Sequence, residues 1–136
     1  MRTFPAKYSA LDDIRTFVAQ AAQKASLTEK AVYAVQLAVD EACTNIIDYA
    51  YGGETNQQIE ITCEITTEHL TITLGDKGHP FDLDSIEPPD LNSPLAERDA
   101  GGLGIHLIRK LMDEINYQST QGVGNRLTLT KERRAD

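Results

Sequence analysis

The chain is poor in positive charge, with 13 Lys and Arg against 21 Asp and Glu and a net charge of −8 at pH 7. Nucleic-acid binding relies on clustered cations that neutralise phosphates, so that class of partner is not expected. The one basic cluster, Lys131-Glu132-Arg133-Arg134, is short, broken by an acid, and reads as a solvated stretch. Cysteine is nearly absent: Cys43 and Cys63 are twenty positions apart, form no C-x-x-C and have no neighbouring His. A disulfide frame or zinc site is therefore not expected, and both read as small buried hydrophobes. His69, His79 and His106 are scattered and suggest no metal site or phospho-histidine relay. No run approaches the ~18 to 20 apolar residues that span a bilayer, and Met1-Arg2-Thr3-Phe4 leads into no signal-peptide core. The expectation is a cytoplasmic protein with no membrane partner.

What is present is ordinary for a folded domain. Apolar residues make up 40% and charged residues 25% of 136 positions, enough to build a core and too few charges for disorder. One domain, 1–136, is expected. Residues 3–8 suit a short edge strand. Ser9-Ala10-Leu11-Asp12 resembles a helix start, and Leu11, Ile14, Phe17, Val18, Ala21 and Ala22 then recur at helical spacing, predicting a helix over 10–24. Ser26-Leu27-Thr28-Glu29 reads as a capping box for a second helix that runs without Gly or Pro to Ala50 and ends at Gly52-Gly53. Ile59, Ile61, Cys63 and Ile65 alternate with polar residues, as do Leu70, Ile72 and Leu74, across a turn at Thr67-Glu68. That is an antiparallel hairpin with one wet face, delivering Asp76 at its end. Residues 83–100, with Pro88-Pro89 and Pro94, read as a long loop of the kind that forms functional lids. Leu103, Ile105, Leu107, Ile108, Leu111, Met112 and Ile115 predict a third helix. A turn around Gly122 and Gly124 then leads to a last strand holding Leu127 and Leu129. Helices segregated from an antiparallel or mixed sheet give a two-layer α/β sandwich of the α+β class.

Three short segments carry the chemistry. Glu41 and Asn45 lie one turn apart on one face of the second helix, suited to a base beside a metal-binding amide. Asp76-Lys77-Gly78-His79-Pro80-Phe81-Asp82 follows a strand. Gly101-Gly102-Leu103-Gly104 precedes helical periodicity, where bare backbone lets amides approach an anion. Taken singly, each has a plain structural reading: a solvated polar ridge, a strand-ending turn, a flexible hinge.

In this order and spacing the three segments resemble those of the GHKL ATPase superfamily. Within it the chain is most similar to the bacterial anti-sigma-factor serine/threonine kinases. The similarity runs from the first helix to Gly124-Asn125-Arg126-Leu127-Thr128-Leu129-Thr130-Lys131. Pro80 stands where much of the superfamily has a second glycine, and the Pro80-Phe81-Asp82 continuation is the form common in the anti-sigma branch. The resemblance implies a histidine-kinase-type fold, with a mixed, mostly antiparallel sheet covered on one face by helices. It implies ATP and Mg²⁺ as cofactors, Asn45 as the Mg²⁺ ligand and Glu41 as the base toward the attacking hydroxyl. Asp76 would accept from the adenine amino group, and Gly78 would leave room for the ring. Gly102, Leu103, Gly104 and Thr128 would complete the nucleotide site, with Arg98 reaching the γ-phosphate. The implied activity is phosphorylation of a STAS-type anti-anti-sigma protein by a kinase that also binds a sigma factor, as a homodimer. Two other classes stay open from sequence: a nucleotide-binding module that sequesters a partner with little phosphotransfer, and an ATP-driven switch without a protein acceptor.

Overall fold

The computed structural model describes residues 1–80 and 100–133, with residues 100–104 described in their backbone only. Strand β1 (Arg2–Ala6) leads through a short 3-10 turn at Tyr8–Ala10 into helix α1 (Leu11–Lys24). Helix α2 (Glu29–Asn45) continues directly into a π-helical segment, Ile46–Ala50. Strands β2 (Thr55–Ile65) and β3 (His69–Asp76) form the expected hairpin, with Thr66 N–H donating to His69 O across the turn at 2.9 Å. Helix α3 (Ala100–Leu111) and strands β4 (Glu114–Thr120) and β5 (Gly124–Glu132) complete the chain.

The five strands form one sheet in the order β1-β2-β3-β5-β4. Every pairing is antiparallel, so the mixed character expected from the resemblance is absent among the described residues. Alternation sets the two faces. Ile59, Ile61, Leu70, Ile72, Leu74, Leu127 and Leu129 are buried, and they pack with Ile14 and Val18 of α1, Val35, Ala38, Val39 and Ala42 of α2, and Ile105 and Ile108 of α3. Helix α2 is central, packed against both α1 and α3. The residues that alternate with this apolar set, among them Glu60, Thr62, Thr73, Arg126 and Thr128, line a wide concavity of about 810 Å³ on the uncovered face.

Helix boundaries depart from the sequence reading in instructive ways. Ser9 does not cap α1: it sits inside the 3-10 turn, and the position before α1 is Ala10, with no side-chain cap. In the second capping box Thr28, not Ser26, is the cap, its hydroxyl accepting from Ala31 N–H at 3.1 Å. Ser26 instead takes the left-handed conformation, φ 59°, in the turn that closes α1. Ile115 is not in the third helix. The backbone joins the sheet at Asp113, whose N–H donates to Thr130 O at 2.9 Å, and Ile115 and Tyr117 of β4 then pack on the core at period two. The switch from helical to strand periodicity falls inside an unbroken apolar run, which conceals it. Cys43 is buried as expected, whereas Cys63 is only partly so.

Candidate functional site

Helix α2 carries the first half of the site. Glu41 is half-buried, and burial pushes its carboxyl up from the ordinary value, with the neighbouring Asp40 charge adding to the effect. Asp40 in turn pairs with Arg15, which also reaches Asp12, so α1 and α2 are tied together just beside Glu41. One turn on, Asn45 is 7% exposed, and its Nδ2 is a buried polar atom with no hydrogen-bond partner among the described residues. An unpaired buried amide is costly, which makes Asn45 a candidate for a residue whose bonding a ligand completes. The two ends of an amide exchange by rotation, so the same position offers an oxygen to a cation or an N–H to an anion.

Immediately after Asn45 the helix widens: Tyr51 N–H reaches back five residues to Ile46 O at 2.9 Å. Single π turns inside helices recur at functional positions. The helical run then ends as its glycines predict, with Gly52 at φ 73° and Gly53 at φ 131°.

The second half of the site hangs from the end of β3 and docks on this widened turn. His79 N–H donates to Ala50 O at 2.7 Å, and Lys77 N–H donates to the Tyr51 hydroxyl at 3.0 Å. The same hydroxyl donates to Gln58 O on β2 at 2.8 Å. A Cβ added to Gly78 would stand 2.3 Å from Ala50 O, so only glycine lets this loop approach the helix end. Asp76 is 8% exposed, and its Oδ1 accepts from Gly78 N–H and from Asn125 Nδ2, both at 2.8 Å.

Asn125 is the residue that sequence reasoning did not single out. It is 5% exposed and faces Asp76 in the register of β3 and β5. Thr128 lies three residues further and pairs with Thr73; it alternates out of phase with Asn125, yet lines the same concavity as Asp76 and Asn125. The signal for Asn125 was present in the sequence: it shares the phase of Leu127 and Leu129, and a polar residue in a buried row needs a partner. Of the remaining candidates, Gly101, Gly102 and Leu103 lie in the first turn of α3 and Gly104 opens the second, so the glycines are part of the helix and not a hinge before it. First-turn amides have no partner within their own helix, which keeps them suited to an anion. Arg98 and the lid expected over 83–100, save its last residue, lie outside the described residues. His79 is exposed, and no cluster of metal-ligating side chains occurs among the described residues.

The structure thus brings together Asp76, Gly78 and Asn125, and docks them on the helix that carries Glu41 and Asn45. Residues 4–131 match the model of the histidine kinase-like ATPase domain. The serine-protein kinase RsbW of Halalkalibacterium halodurans is 32% identical over 127 residues, covering 89% of this chain and 76% of its own length. The protein of the same name from Bacillus subtilis is 29% identical over 88% of this chain and 77% of its own. Among solved structures, the histidine kinase domain of the Erythrobacter litoralis EL346 blue-light activated histidine kinase superposes with a TM-score of 0.55 at 17% identity, over 94% of this chain and 61% of that one. The Acinetobacter baumannii histidine kinase AdeS gives 0.53 at 14% identity, over 98% of this chain and 68% of its own. At those identities the structural likeness speaks for the fold alone.

Proposed function

Because the chain belongs to the histidine kinase-like ATPase family, in its serine-protein kinase branch, it is an ATP-using enzyme, and we propose that it transfers the γ-phosphoryl group to a serine of a STAS-type anti-anti-sigma protein and also binds a sigma factor. The observation that carries this reading is the docking of the Asp76–His79 loop on the end of the Glu41–Asn45 helix. It fixes the Asp76 carboxylate and the Glu41–Asn45 pair on one piece of structure, which supports the reading because phosphoryl transfer depends chiefly on positioning and charge compensation.

In this reading Asp76 accepts from the adenine amino group, and Gly78 keeps the wall beside it free of a side chain. Asn45 would hold Mg²⁺ through its amide oxygen, which the buried amide can turn to the site because its Nδ2 has no partner to hold it. When bound, the ion neutralises phosphate charge. The first-turn amides of α3, at Gly102 and Leu103, face phosphate oxygens with Gly104 behind them, and Arg98 compensates charge at the γ-phosphate. Glu41 takes the serine hydroxyl proton as the hydroxyl oxygen bonds to the γ-phosphorus and the bond to the leaving ADP oxygen breaks. A carboxyl pushed up from its ordinary value is a stronger base, which suits that role. Residues 1–136 work as one kinase domain, as a homodimer in the cytoplasm. No helix among the described residues is long and apolar enough to cross a membrane.

The test is transfer of labelled phosphate from ATP to a STAS-domain protein encoded beside this chain, by wild type and by Glu41→Ala. Transfer that falls about 10²- to 10⁴-fold in the variant while ATP affinity holds supports the reading. Wild type that transfers nothing yet binds a sigma factor tightly would replace it with a sequestering module.

A further inference from the structure

The Asp76 carboxylate belongs to a line of three polar side chains that crosses three neighbouring strands. Register places Asp76 of β3 opposite Asn125 of β5, and Asn125 opposite Ser119 of β4, at the same end of the sheet. Ser119 Oγ donates to Asn125 Oδ1 at 2.7 Å. Asn125 Nδ2 spends one proton on Asp76 Oδ1 at 2.8 Å and the other on Gly78 O at 2.9 Å. Both ends of the Asn125 amide are thereby committed. Reversing it would set its oxygen against a carboxylate and a carbonyl, two acceptor–acceptor contacts, so the orientation is fixed by chemistry.

The consequence falls on Asp76. Its Oδ1 is occupied by Gly78 N–H and Asn125 Nδ2, and its Oδ2 accepts from no described residue. We infer that Asn125 and Ser119 are positioning residues that set base specificity: they hold the carboxylate so that Oδ2 alone meets the base, and they select a purine bearing an amino group over one bearing a carbonyl at the same position. This rests on the reading of Asp76 as the base acceptor. A held acceptor rejects a carbonyl because neither group supplies a proton, and sites built around such a bond discriminate strongly. A carboxylate free to rotate discriminates less, because it turns away from the carbonyl and lets water fill the gap.

ATP and ITP test this effect, since their bases differ by an amino group beside a bare ring nitrogen in one and an oxo group beside a ring N–H in the other, a donor that a carboxylate free to shift can reach and a held one cannot. Calorimetry with each nucleotide and Mg²⁺ is made on wild type, Asn125→Ala, Ser119→Ala, the double variant and Asp76→Asn, with thermal melts alongside. Asn125→Ala is expected to weaken ATP by roughly ten- to a hundredfold and to shrink the ATP-to-ITP preference, because ITP loses less. Ser119→Ala is expected to shift the preference the same way by a few-fold, Ser119→Thr to restore it, and Ser119→Ala to add nothing once Asn125 is alanine. Ser119 is exposed, so its variants carry the test even where Asn125→Ala fails to fold. An unchanged ATP-to-ITP preference in the Ser119 and Asn125 variants, with both nucleotides weakened equally, would overturn the inference and leave the line a structural feature. If Asp76→Asn also keeps the wild-type preference, the base-acceptor reading itself fails. If Asp76→Asn alters it and the other variants do not, only the role given to Asn125 and Ser119 is lost.

Discussion

Gly78 lies so close to Ala50 that the hydrogen it carries in place of a side chain is what permits the contact: a Cβ there would stand 2.3 Å from the Ala50 oxygen and 2.4 Å from its carbonyl carbon. The atoms it would meet are backbone, held at the end of a helix, and they cannot swing aside as a flexible side chain does.

Gly78→Ala is therefore expected to push the Asp76–His79 loop off the helix end, costing about 1 to 3 kcal/mol of stability and most of the ATP affinity. Gly75→Ala is the control, since its nearest neighbour to an added Cβ is at 3.7 Å. Denaturant unfolding and nucleotide calorimetry on both proteins check this. Equal behaviour of the two variants would remove the close approach from the account.

Tyr51→Phe deletes one oxygen that joins two strand segments, since it donates to Gln58 O and accepts from Lys77 N–H. Burial pushes this hydroxyl up, the Lys77 N–H works against that, and Asp76 and Glu60 add to it, so it keeps the proton it donates. The expected loss is about 0.5 to 1.5 kcal/mol per bond, with faster amide exchange at Lys77 and His79 and a several-fold weaker ATP complex. Exchange at those two amides that matches wild type would show that the hydroxyl does not hold the loop.

Asn45→Leu should separate stability from function. Removing a buried amide whose Nδ2 has no partner is expected to raise the stability of the nucleotide-free protein by about 1 kcal/mol, while Mg²⁺-dependent ATP binding disappears. Urea unfolding without nucleotide, set beside ATP titrations with and without Mg²⁺, reads both. A destabilised variant that keeps its Mg²⁺ dependence would make Asn45 a structural residue.

Glu41→Gln should do likewise, with a pH signature. The folded protein holds the Glu41 carboxyl above its ordinary value, so the charged form costs stability. That cost is absent below the ordinary carboxylate value, grows as pH rises through the window up to the raised value, and is complete above it. Glu41→Gln is thus expected to melt higher than wild type at pH 7 and level with it near pH 4, while phosphotransfer falls about 10²- to 10⁴-fold. Melting curves across that range check it. A constant difference at all pH values would mean that the carboxyl is not the source.

Much of this was legible in the sequence because it is encoded locally. Alternation at Ile59, Ile61, Leu70, Ile72 and Leu74 gave the hairpin, and the glycine pair after Tyr51 gave the end of the second helix. The order of the three polar and glycine segments gave the family. The phase of Asn125 with Leu127 and Leu129 marked it as a buried polar residue in need of a partner, but Asp76 and Gly78 lie 49 and 47 positions away and are chosen by strand register, which no local window contains. Ile115 was misplaced for the opposite reason: an apolar residue directly after a helix continues its pattern whether or not the backbone does. The widened turn at Ile46–Ala50 has no marker at all in the residues that form it.

That turn leaves a carbonyl facing outward at Ala50, and His79 N–H fills it. The long helix therefore has its own stop signal in Gly52 and Gly53, yet part of its cap is supplied from 29 residues further along the chain. Lengthening the segment between Asp76 and His79 by one residue would fray the helix as well as reshape the pocket, so the two must change length together or not at all. Loops ordinarily tolerate insertion, and this one is expected not to, although it lies at the surface.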